Sequence, residues 1–333
     1  MVAVTSKTER EWRAPSLDEG HAALLANRMR HDIIRMLAQS KSGHPGGSLS
    51  ASDIVAALFS SGQMNYDPAS PTWEERDHFL LSKGHAAPVL YALYHQMGWI
   101  SDEDLMTLRQ LGSKLQGHPD SHALQGVDVC AGSLGQGLSV AAGEALGFLM
   151  DAQKSAAQST SQSAAQSASQ SATEPTHVWV LLGDGEMQEG SNWEAMMFAA
   201  HHKLHNLTAI LDLNNLQIDG FVTEVNSLGD IDAKVRAFGF HVIHVNGHAI
   251  GEIVSALKEA RTVSDKPTMI ICDTIKGKGV SFMENQAKWH GTAPNAEQAA
   301  QALEELDKAA TELTQRYGIA ADAPLFSATP KED

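Results

Sequence analysis

Short apolar runs of strand length alternate with helical segments along the chain, and this alternation constrains the fold more than any other feature. Three runs are strongly apolar, Val178 to Leu182, Thr208 to Leu213 and Met269 to Thr274, and a fourth at 240–245 has the same length. The predicted helices share apolar side chains at spacings of three and four residues, and they cover 17–39, 52–59, 86–97, 102–110, 134–150, 192–202, 230–238, 250–261 and 298–317. This alternation predicts an α/β fold, with a parallel sheet and helices on both of its faces.

Oxygen-bearing residues follow two of these strands directly. Asp184, flanked by Gly183 and Gly185, comes after the first strand, and Asn214 comes after the second. In a parallel sheet the two turns lie side by side at the carboxyl edge, where ligands bind. The Asp184 carboxylate, the Asn214 side-chain carbonyl and the backbone carbonyl of Leu216 are predicted ligands of Mg²⁺, or of Ca²⁺ or Mn²⁺, with two diphosphate oxygens and a water completing six. The two glycines let the backbone approach the phosphates.

Composition excludes several classes of partner. The chain carries 24 Lys and Arg against 40 Asp and Glu, a formal charge of −16, which argues against nucleic acid or an anionic membrane surface as the main partner. Small anionic substrates remain open, because an acidic protein can still contain a basic pocket. The two cysteines, Cys130 and Cys272, fit a reducing compartment. With no signal-peptide pattern and no membrane-length apolar run, a cytoplasmic location is expected.

An eight-residue repeat of Ser, Ala and Gln interrupts the α/β pattern. It reads SAAQSTSQ at 155–162 and SAAQSASQ at 163–170. Because it has no large apolar residue, it cannot contribute to a core, and we predict a solvated loop or helix extension inserted at 152–173. The expected organisation is therefore an N-terminal tail at 1–16, one domain at 17–317 that contains this insertion, and a C-terminal tail at 318–333.

Seven short motifs with glycines and histidines occur along the chain in a fixed order. They are Ser42-Gly43-His44-Pro45, Ser82-Lys83-Gly84-His85-Ala86, Gly117-His118-Pro119, Gly132-Ser133-Leu134-Gly135-Gln136-Gly137, GDGEMQEG at 183–190, Lys276-Gly277-Lys278-Gly279 and Trp289-His290-Gly291. In this order the motifs resemble the transketolase family of thiamine-diphosphate enzymes, over about residues 17 to 293. The resemblance implies a thiamine-diphosphate-binding α/β domain, and it makes Mg²⁺ the expected partner of the cofactor.

The resemblance also implies a role for each matched position. The residues implied in cofactor binding are His85, Gly132, Ser133, Leu134, Gly185, Asn214 and Lys276. The residues implied in catalysis are His44, His118 and His290, which would contact substrate hydroxyls or carry protons, and Glu189, which would link two cofactor sites across a subunit interface. Ketol transfer moves protons between polyols, and histidines that titrate near neutrality suit that work.

One part of the family pattern has no counterpart in this sequence. A full transketolase continues with a domain that binds the aminopyrimidine ring and supplies a glutamate to it, whereas about 40 residues follow Gly291 here. The resemblance therefore implies the N-terminal subunit of a two-chain transketolase, which would transfer a two-carbon ketol unit between a ketose phosphate and an aldose phosphate. Its partner would be a C-terminal subunit with the pyrimidine-binding domain, and the assembly would be α2β2.

Four alternatives stay open at this point. A transketolase variant with an unusual acceptor, such as apulose 4-phosphate, would carry the same motifs. The α-type chain of a 2-oxoacid dehydrogenase also has the Gly-Asp-Gly turn, although the histidines and the Gln-Glu-Gly of 188–190 favour transketolase. The sequence is also similar to 1-deoxyxylulose-5-phosphate synthase, which is a single longer chain. A cofactor-binding regulator without activity is the non-enzyme alternative, and the intact Asp184, Asn214 and four histidines argue against it.

Overall fold

A computed structural model describes residues 11–162 and 174–326, and it describes side chains throughout these ranges except at 158–162. The helices are α1 (Glu19–Ser40), α2 (Pro45–Ser50), α3 (Ser52–Ser60), α4 (Ala87–Gln96), α5 (Asp102–Leu105), α6 (Gly137–Gln162), α7 (Gly190–His201), α8 (Val222–Val225), α9 (Ile231–Ala237), α10 (Ile250–Thr262) and α11 (Ala296–Tyr317). The strands are β1 (His78–Leu81), β2 (Val178–Gly183), β3 (Leu207–Leu213), β4 (Leu216–Gln217), β5 (Gly220–Phe221), β6 (His241–Asn246) and β7 (Thr268–Asp273).

Five of the strands form one parallel sheet in the order β1-β2-β3-β7-β6. The four predicted strands are all in it, and β2 pairs with β3 as the motif spacing required. The sequence did not indicate β1, because this strand has only four residues, fewer than the apolar runs that predicted the other strands, and polar residues flank it. Strands β4 and β5 form a separate antiparallel hairpin directly after β3.

Helices cover both faces of this sheet, as predicted, because successive strand residues point to opposite sides. On one face Trp179, Leu181, Ile210 and Ile270 belong to a core that contains α1, α3, α4, α10 and α11. On the other face Val180, Leu182, Leu211 and Ile271 belong to a second core with α6, α7 and α9. This confirms the α/β fold class and explains why the strands read as continuous apolar runs.

The helix predicted at 102–110 is wrong in its second half. Helix α5 ends at Leu105, and Arg109 has a left-handed backbone with φ of 60°. Its N–H donates to the carbonyl of Leu115 at 2.9 Å, so the chain turns back instead of continuing the helix. The apolar spacing of Leu105 and Leu108, both buried, had imitated a helix here.

The Ser/Ala/Gln insertion is described only in its first part. Residues 152–162 continue helix α6, and the side chains of Gln153, Lys154 and Ser155 are exposed. This agrees with a helix extension that contributes nothing to the core. The rest of the predicted insertion, 163–173, lies outside the described residues, as do 1–10 and 327–333 of the predicted tails, and the domain boundaries stay predictions.

The carboxyl ends of β1, β2, β3 and β7 meet at one edge of the sheet. The first residues after these four strands are, in the same order, Ser82, Asp184, Asn214 and Thr274. The predicted metal ligands Asp184 and Asn214 therefore lie at this edge. Within the described part of the chain, no helix has both the length and the apolar character that crossing a bilayer requires.

Candidate active site

A cavity of about 240 Å³ opens at this carboxyl edge. Nine of the predicted site residues line it: His85, Leu134, Asp184, Gly185, Glu189, Asn214, Leu216, Lys276 and His290. Gly132 and Ser133 lie outside this lining, along a neighbouring cavity of about 310 Å³. His44 joins the first cavity through its ring contacts, and His118 packs beside Gly132, where an added Cβ would lie 3.5 Å from the His118 Cγ.

Asp184 connects the ends of strands β2 and β3. Its Oδ1 accepts from the N–H of Gly185 at 2.7 Å, and its Oδ2 accepts from the N–H of Asn215. Asn215 has a φ of 57°, so the chain after β3 turns sharply enough to bring this N–H to the carboxylate. The carboxylate is buried, and burial together with the charge of Asp212 raises the pKa of Asp184 to about 6. A bound cation would stabilise the ionised form of this buried carboxylate and so offset the cost of burying its charge.

The other two predicted metal ligands, Asn214 and Leu216, already have partners within the chain. The Asn214 Nδ2 donates to Asp212 at 3.1 Å, and its Oδ1 accepts from the N–H of Leu216 at 3.1 Å. The Leu216 carbonyl accepts from the Lys276 Nζ at 2.6 Å. The three residues line the same cavity, and a cation bound to the Leu216 carbonyl would share or replace the hydrogen bond from Lys276.

Two buried lysines balance two buried carboxylates at the site. Lys83 donates to Asp212 and to the carbonyl of Gly47, the latter at 2.8 Å. Burial alone would raise the pKa of Asp212, but the charge and hydrogen bond of Lys83 outweigh it and lower that pKa. Burial lowers the pKa of Lys276 to about 8. A diphosphate entering the cavity would therefore bring charge that only an added cation could neutralise.

Lys83 and Asp212 were not among the predicted site residues, although both left a signal. Lys83 stands inside the motif at 82–86, and Asp212 is a charged residue within an otherwise apolar strand. Glu186 was not predicted either; it is buried and accepts from Ser82 Oγ, the N–H of Gly135 and the N–H of Gly183. Burial raises the pKa of Glu186. This one carboxyl ties together three of the motif segments that surround the cavity.

Three of the predicted histidines form one cluster. The ring centroids of His44 and His85 are 5.2 Å apart, those of His44 and His290 are 5.5 Å apart, and those of His85 and His290 are 5.1 Å apart with nearly parallel planes. They come from a loop before α2, a turn after β1 and a turn before α11, so only the tertiary fold brings them together.

Cations orient two of these imidazoles. The Arg109 guanidinium donates to the Nδ1 of His44 at 3.3 Å and to the Oγ of Ser42 at 3.0 Å. The Lys276 Nζ lies 2.7 Å from the Nδ1 of His290. Because an ammonium and a guanidinium can only donate, both Nδ1 atoms accept, and the ring proton of each histidine is on Nε2. The role of Arg109 could not be predicted, since its left-handed turn has no simple sequence signal.

The pKa values of His44 and His290 lie well below neutrality, whereas titration near neutrality was expected from the sequence. Burial, followed by the charge of Arg109, lowers the pKa of His44 to about 4. Burial, followed by the charge of Lys276, lowers the pKa of His290 to about 3. The pKa values of His85 and His118 are lowered by burial as well. At pH 7 the cluster is therefore neutral, and its N–H groups act as hydrogen-bond donors.

These low pKa values predict that acid destabilises the fold. The unfolded imidazoles take up protons below about pH 6.5, whereas the folded His44 and His290 remain neutral down to about pH 4 and 3. The unfolded state thus binds more protons, and stability falls between about pH 6.5 and 4. Because both rings are partly exposed, we expect each to account for about 1 kcal/mol between pH 7 and 5. Melting curves of the chain and of His290→Asn at both pH values should show a shallower pH dependence in the variant, and equal dependence would contradict this.

Glu189 lies at the rim of the cavity. It is the N-cap residue of helix α7, and its side chain is exposed. An added Cβ on Gly135 would lie 2.6 Å from the Cβ of Glu189, so the loop before α6 and the start of α7 are in direct contact. The exposure of Glu189 is compatible with the predicted link across a subunit interface, which stays a prediction.

The residues present fit a bound thiamine diphosphate and its cation. Gly47 faces the cavity, and a Cβ there would lie 3.7 Å from the Nε2 of His85 and 3.8 Å from the Nζ of Lys83, narrowing the space. The donors combine carboxylate and carbonyl oxygens for a hard cation with two lysines for phosphate oxygens. Strand-end turns with such groups are typical of α/β proteins that bind a phosphorylated cofactor at the carboxyl edge of the sheet.

The sequence matches the thiamine diphosphate binding domain of transketolase over residues 21–322. The chain therefore belongs to the transketolase family and has its thiamine-diphosphate-binding domain. It is 40% identical over 283 residues to the 6-deoxy-6-sulfo-D-fructose transketolase subunit SqwG of Clostridium sp. strain MSTE9, covering 85% of this chain and 95% of that protein. It is 37% identical over 285 residues to an apulose-4-phosphate transketolase subunit of Phocaeicola vulgatus, covering 86% and 93%.

Longer relatives match over only part of their length. The chain is 38% identical over 282 residues to the transketolase of Homo sapiens, covering 84% of this chain and 41% of that protein. Among solved structures, the transketolase of Campylobacter jejuni superimposes with a TM-score of 0.74 at 33% identity, covering 93% of this chain and 44% of that one. The chain therefore spans about two-fifths of the length of such transketolases, and nearly all of the two relatives that are named as subunits.

Proposed function

We propose that this chain is the N-terminal subunit of a two-chain transketolase that depends on thiamine diphosphate and Mg²⁺. The observation that carries the proposal is the single cavity in which Asp184, Asn214 and Leu216 lie beside Lys276 and His290. Its donors match the diphosphate and metal end of the cofactor. The near-complete coverage of two transketolase subunits supports a division of the enzyme between two chains.

In this proposal the carboxyl edge holds the diphosphate. Asp184, Asn214 and the Leu216 carbonyl would hold the cation, and Lys276, which donates to that carbonyl in the structure, would supply positive charge for the phosphate oxygens. The other cofactor contacts come from His85, Gly132, Ser133, Leu134 and Gly185. When bound, thiamine diphosphate supplies the electron sink for ketol transfer, while the protein supplies position and electrostatics.

The neutral histidines hold and orient the substrate. Because Arg109 and Lys276 fix the Nδ1 atoms as acceptors, His44 and His290 present Nε2–H donors to sugar hydroxyls. With Nε2 protonated and Nδ1 already accepting, neither ring has a free lone pair for a substrate proton, so both act on the hydroxyls as hydrogen-bond donors. His118, on the loop before Gly132, would add another side chain to the surface that contacts the substrate. Glu189 would contact the corresponding region of a second copy of the chain.

The remaining features belong to the same proposal. A C-terminal partner subunit would bring the pyrimidine-binding domain and its glutamate, and two copies of each chain would form an α2β2 assembly. Substrates would be sugar phosphates. The two relatives named as subunits have different sugars in their names, apulose 4-phosphate and 6-deoxy-6-sulfo-D-fructose, so an unusual sugar is a natural variant of this function. The two free cysteines fit a cytoplasmic location.

The proposed reaction has a direct test. We expect the complex of this chain with its C-terminal partner to convert xylulose 5-phosphate and ribose 5-phosphate, or a related donor and acceptor pair, only when thiamine diphosphate and Mg²⁺ are present. Product formation should be followed by mass, with a panel of aldose phosphates that includes apulose 4-phosphate and with sulfofructose among the donors. Release of carbon dioxide from a 2-oxoacid, without ketol transfer to any acceptor, would replace this function with that of a 2-oxoacid dehydrogenase.

A further inference from the structure

A second group of ligand-forming side chains lies on the surface, outside the lining of the 240 Å³ cavity. It consists of Asp120, His122 and Cys130, which we call the surface triad. The Cys130 Sγ lies 3.2 Å from the Asp120 Oδ1 and 3.6 Å from the His122 Nδ1, and these oxygen and nitrogen atoms are 3.2 Å apart. Over residues 11–162 and 174–326, no other group of three His, Cys, Asp or Glu side chains brings its ligand atoms this close.

These three distances match the edges of a tetrahedral metal site. With zinc–sulfur bonds of about 2.3 Å and zinc–nitrogen or zinc–oxygen bonds of about 2.0–2.1 Å, a tetrahedron separates sulfur from nitrogen or oxygen by about 3.5 Å and nitrogen from oxygen by about 3.3 Å. The observed separations deviate from these edges by a few tenths of an ångström. A cation could therefore enter between the three atoms with only small side-chain adjustments.

We propose that the surface triad binds a zinc-type divalent cation through the Asp120 Oδ1, the His122 Nδ1 and the Cys130 Sγ, with solvent as the fourth ligand. A thiolate and an imidazole select zinc over magnesium, calcium or manganese, which prefer oxygen ligands only. The fourth position is open, because the side chain of His122 is 89% exposed and that of Asp120 is 40% exposed. The surface triad contains no residue that is assigned to thiamine-diphosphate or substrate binding.

Binding exchanges a proton for the metal. The Cys130 S–H donates to the Asp120 Oδ1 in the structure, and this hydrogen bond occupies the space that the cation would take. On binding, the S–H bond breaks and its proton leaves to solvent, while the Nδ1 proton that His122 donates to Asp120 is exchanged through solvent for one on Nε2. Sulfur, oxygen and the freed Nδ1 then each form a bond to the cation. No oxidant or reductant is needed. Affinity should therefore rise with pH, and binding should release about one proton per ion.

An ion bound at the surface triad would connect two loop segments that lie next to predicted site residues. Asp120 follows His118 by two residues, and Cys130 precedes Gly132 by two residues. The two segments are already joined by one backbone hydrogen bond, from the N–H of Ala131 to the carbonyl of Pro119 at 3.1 Å. A bound cation would add a second connection and fix the spacing of these segments. Since both lead directly into motif residues, the ion would limit their motion.

The test uses the full chain, with Zn²⁺ measured by calorimetry and Co²⁺ used as a spectroscopic probe, both in excess Mg²⁺. We expect Co²⁺ to give the intense visible bands of four-coordinate cobalt and a thiolate charge-transfer band. That band reports Cys130, because Cys272 is buried in the core. Cys130→Ser should remove the band and weaken Zn²⁺ binding by more than about 100-fold, and His122→Ala should weaken it by at least about tenfold.

The matched control is His241→Ala. His241 is a partly exposed histidine whose Nε2 lies 2.7 Å from the Glu259 carboxylate, and this pair contains no cysteine. Its loss should leave Zn²⁺ affinity unchanged. Melting without metal should show that all three variants are folded. Undetectable Zn²⁺ binding, a six-coordinate cobalt spectrum without the thiolate band, or equal affinity of the chain and Cys130→Ser would each overturn the proposal.

Discussion

The purified chain should catalyse no ketol transfer by itself and should gain that activity when its C-terminal partner is added. The described residues offer ligands for the diphosphate end of the cofactor, namely Asp184, Asn214 and Lys276. In the proposed assembly the glutamate for the aminopyrimidine ring comes from the partner. A positioned proton-transferring group contributes about 10²- to 10⁴-fold to a rate, so we expect the partner to raise the activity at least about a hundredfold.

The same argument predicts coupling between cofactor and partner. A chain that contacts half of the cofactor orders it with few contacts, so binding to the isolated chain should be weak. The partner should tighten cofactor binding, and by linkage the cofactor should tighten the interface between the two chains by the same factor. Calorimetry of thiamine diphosphate binding, without and with partner, would measure the first effect. Sedimentation of the two chains, without and with cofactor, would measure the second.

A suitable background control is the Asp184→Ala chain, purified in the same way and mixed with the same partner. Activity that persists in this mixture reports contaminating host transketolase. Full turnover by the unmodified chain alone, above this background, would refute the division of the active site between two chains. The site geometry would still stand in that case, since it is tested separately by cofactor binding.

Replacement of Asp184 should abolish Mg²⁺-dependent binding of thiamine diphosphate. Asp184 is the only carboxylate among the three predicted metal ligands, and its loss leaves two neutral carbonyl groups for a cation that prefers charged oxygen ligands. We expect Asp184→Ala to weaken binding of the Mg²⁺–cofactor complex by more than about 100-fold, because loss of a direct ligand should exceed the roughly 10- to 100-fold cost of losing an outer-shell partner. Calorimetry with and without Mg²⁺ would measure this.

Two further variants separate metal binding from folding. Asp184→Asn keeps a side-chain carbonyl that can accept from the N–H of Gly185 or of Asn215. It also removes a buried carboxylate, whose pKa is raised to about 6. Removal of the buried charge offsets the loss of one N–H acceptor, because the amide can accept from only one of the two N–H groups, so this variant should melt close to the unmodified chain and still fail to bind the cofactor. Asp219→Ala removes an exposed carboxylate in the neighbouring hairpin and should bind normally. Unchanged cofactor affinity in Asp184→Ala would sink the metal assignment.

Much of the fold could be predicted because strand and helix signals are local. The runs at 178–182, 208–213 and 269–274 became β2, β3 and β7, each shifted by no more than one residue at either end. Buried parallel strands contact helices on both sides and so require continuous apolar sequence. Strand β1 was missed because its four residues carry too little of this signal, and α5 was overextended because apolar spacing persists through the turn at Arg109.

In the candidate site, too, local motifs could be predicted from sequence, whereas contacts between distant segments could not. Residues carried by motifs could be named from sequence, and Asp184, Asn214, Lys276 and His290 do line one cavity. The surroundings that set their chemistry could not be named. Lys83 and Asp212 are far apart in sequence and form a buried ion pair, and the histidine pKa values depend on burial and on cations from other loops.

The sequence by itself determined the α/β class, the strand-end placement of Asp184 and Asn214 and the family resemblance, because each depends on residue types at short, fixed spacing. The tertiary structure decided which groups meet: the stacking of His85 on His290, the guanidinium of Arg109 against His44, and the three ligand atoms of the surface triad. Such contacts depend on distances between segments far apart in the chain. Burial and charge act through those distances, and a one-dimensional pattern does not contain them.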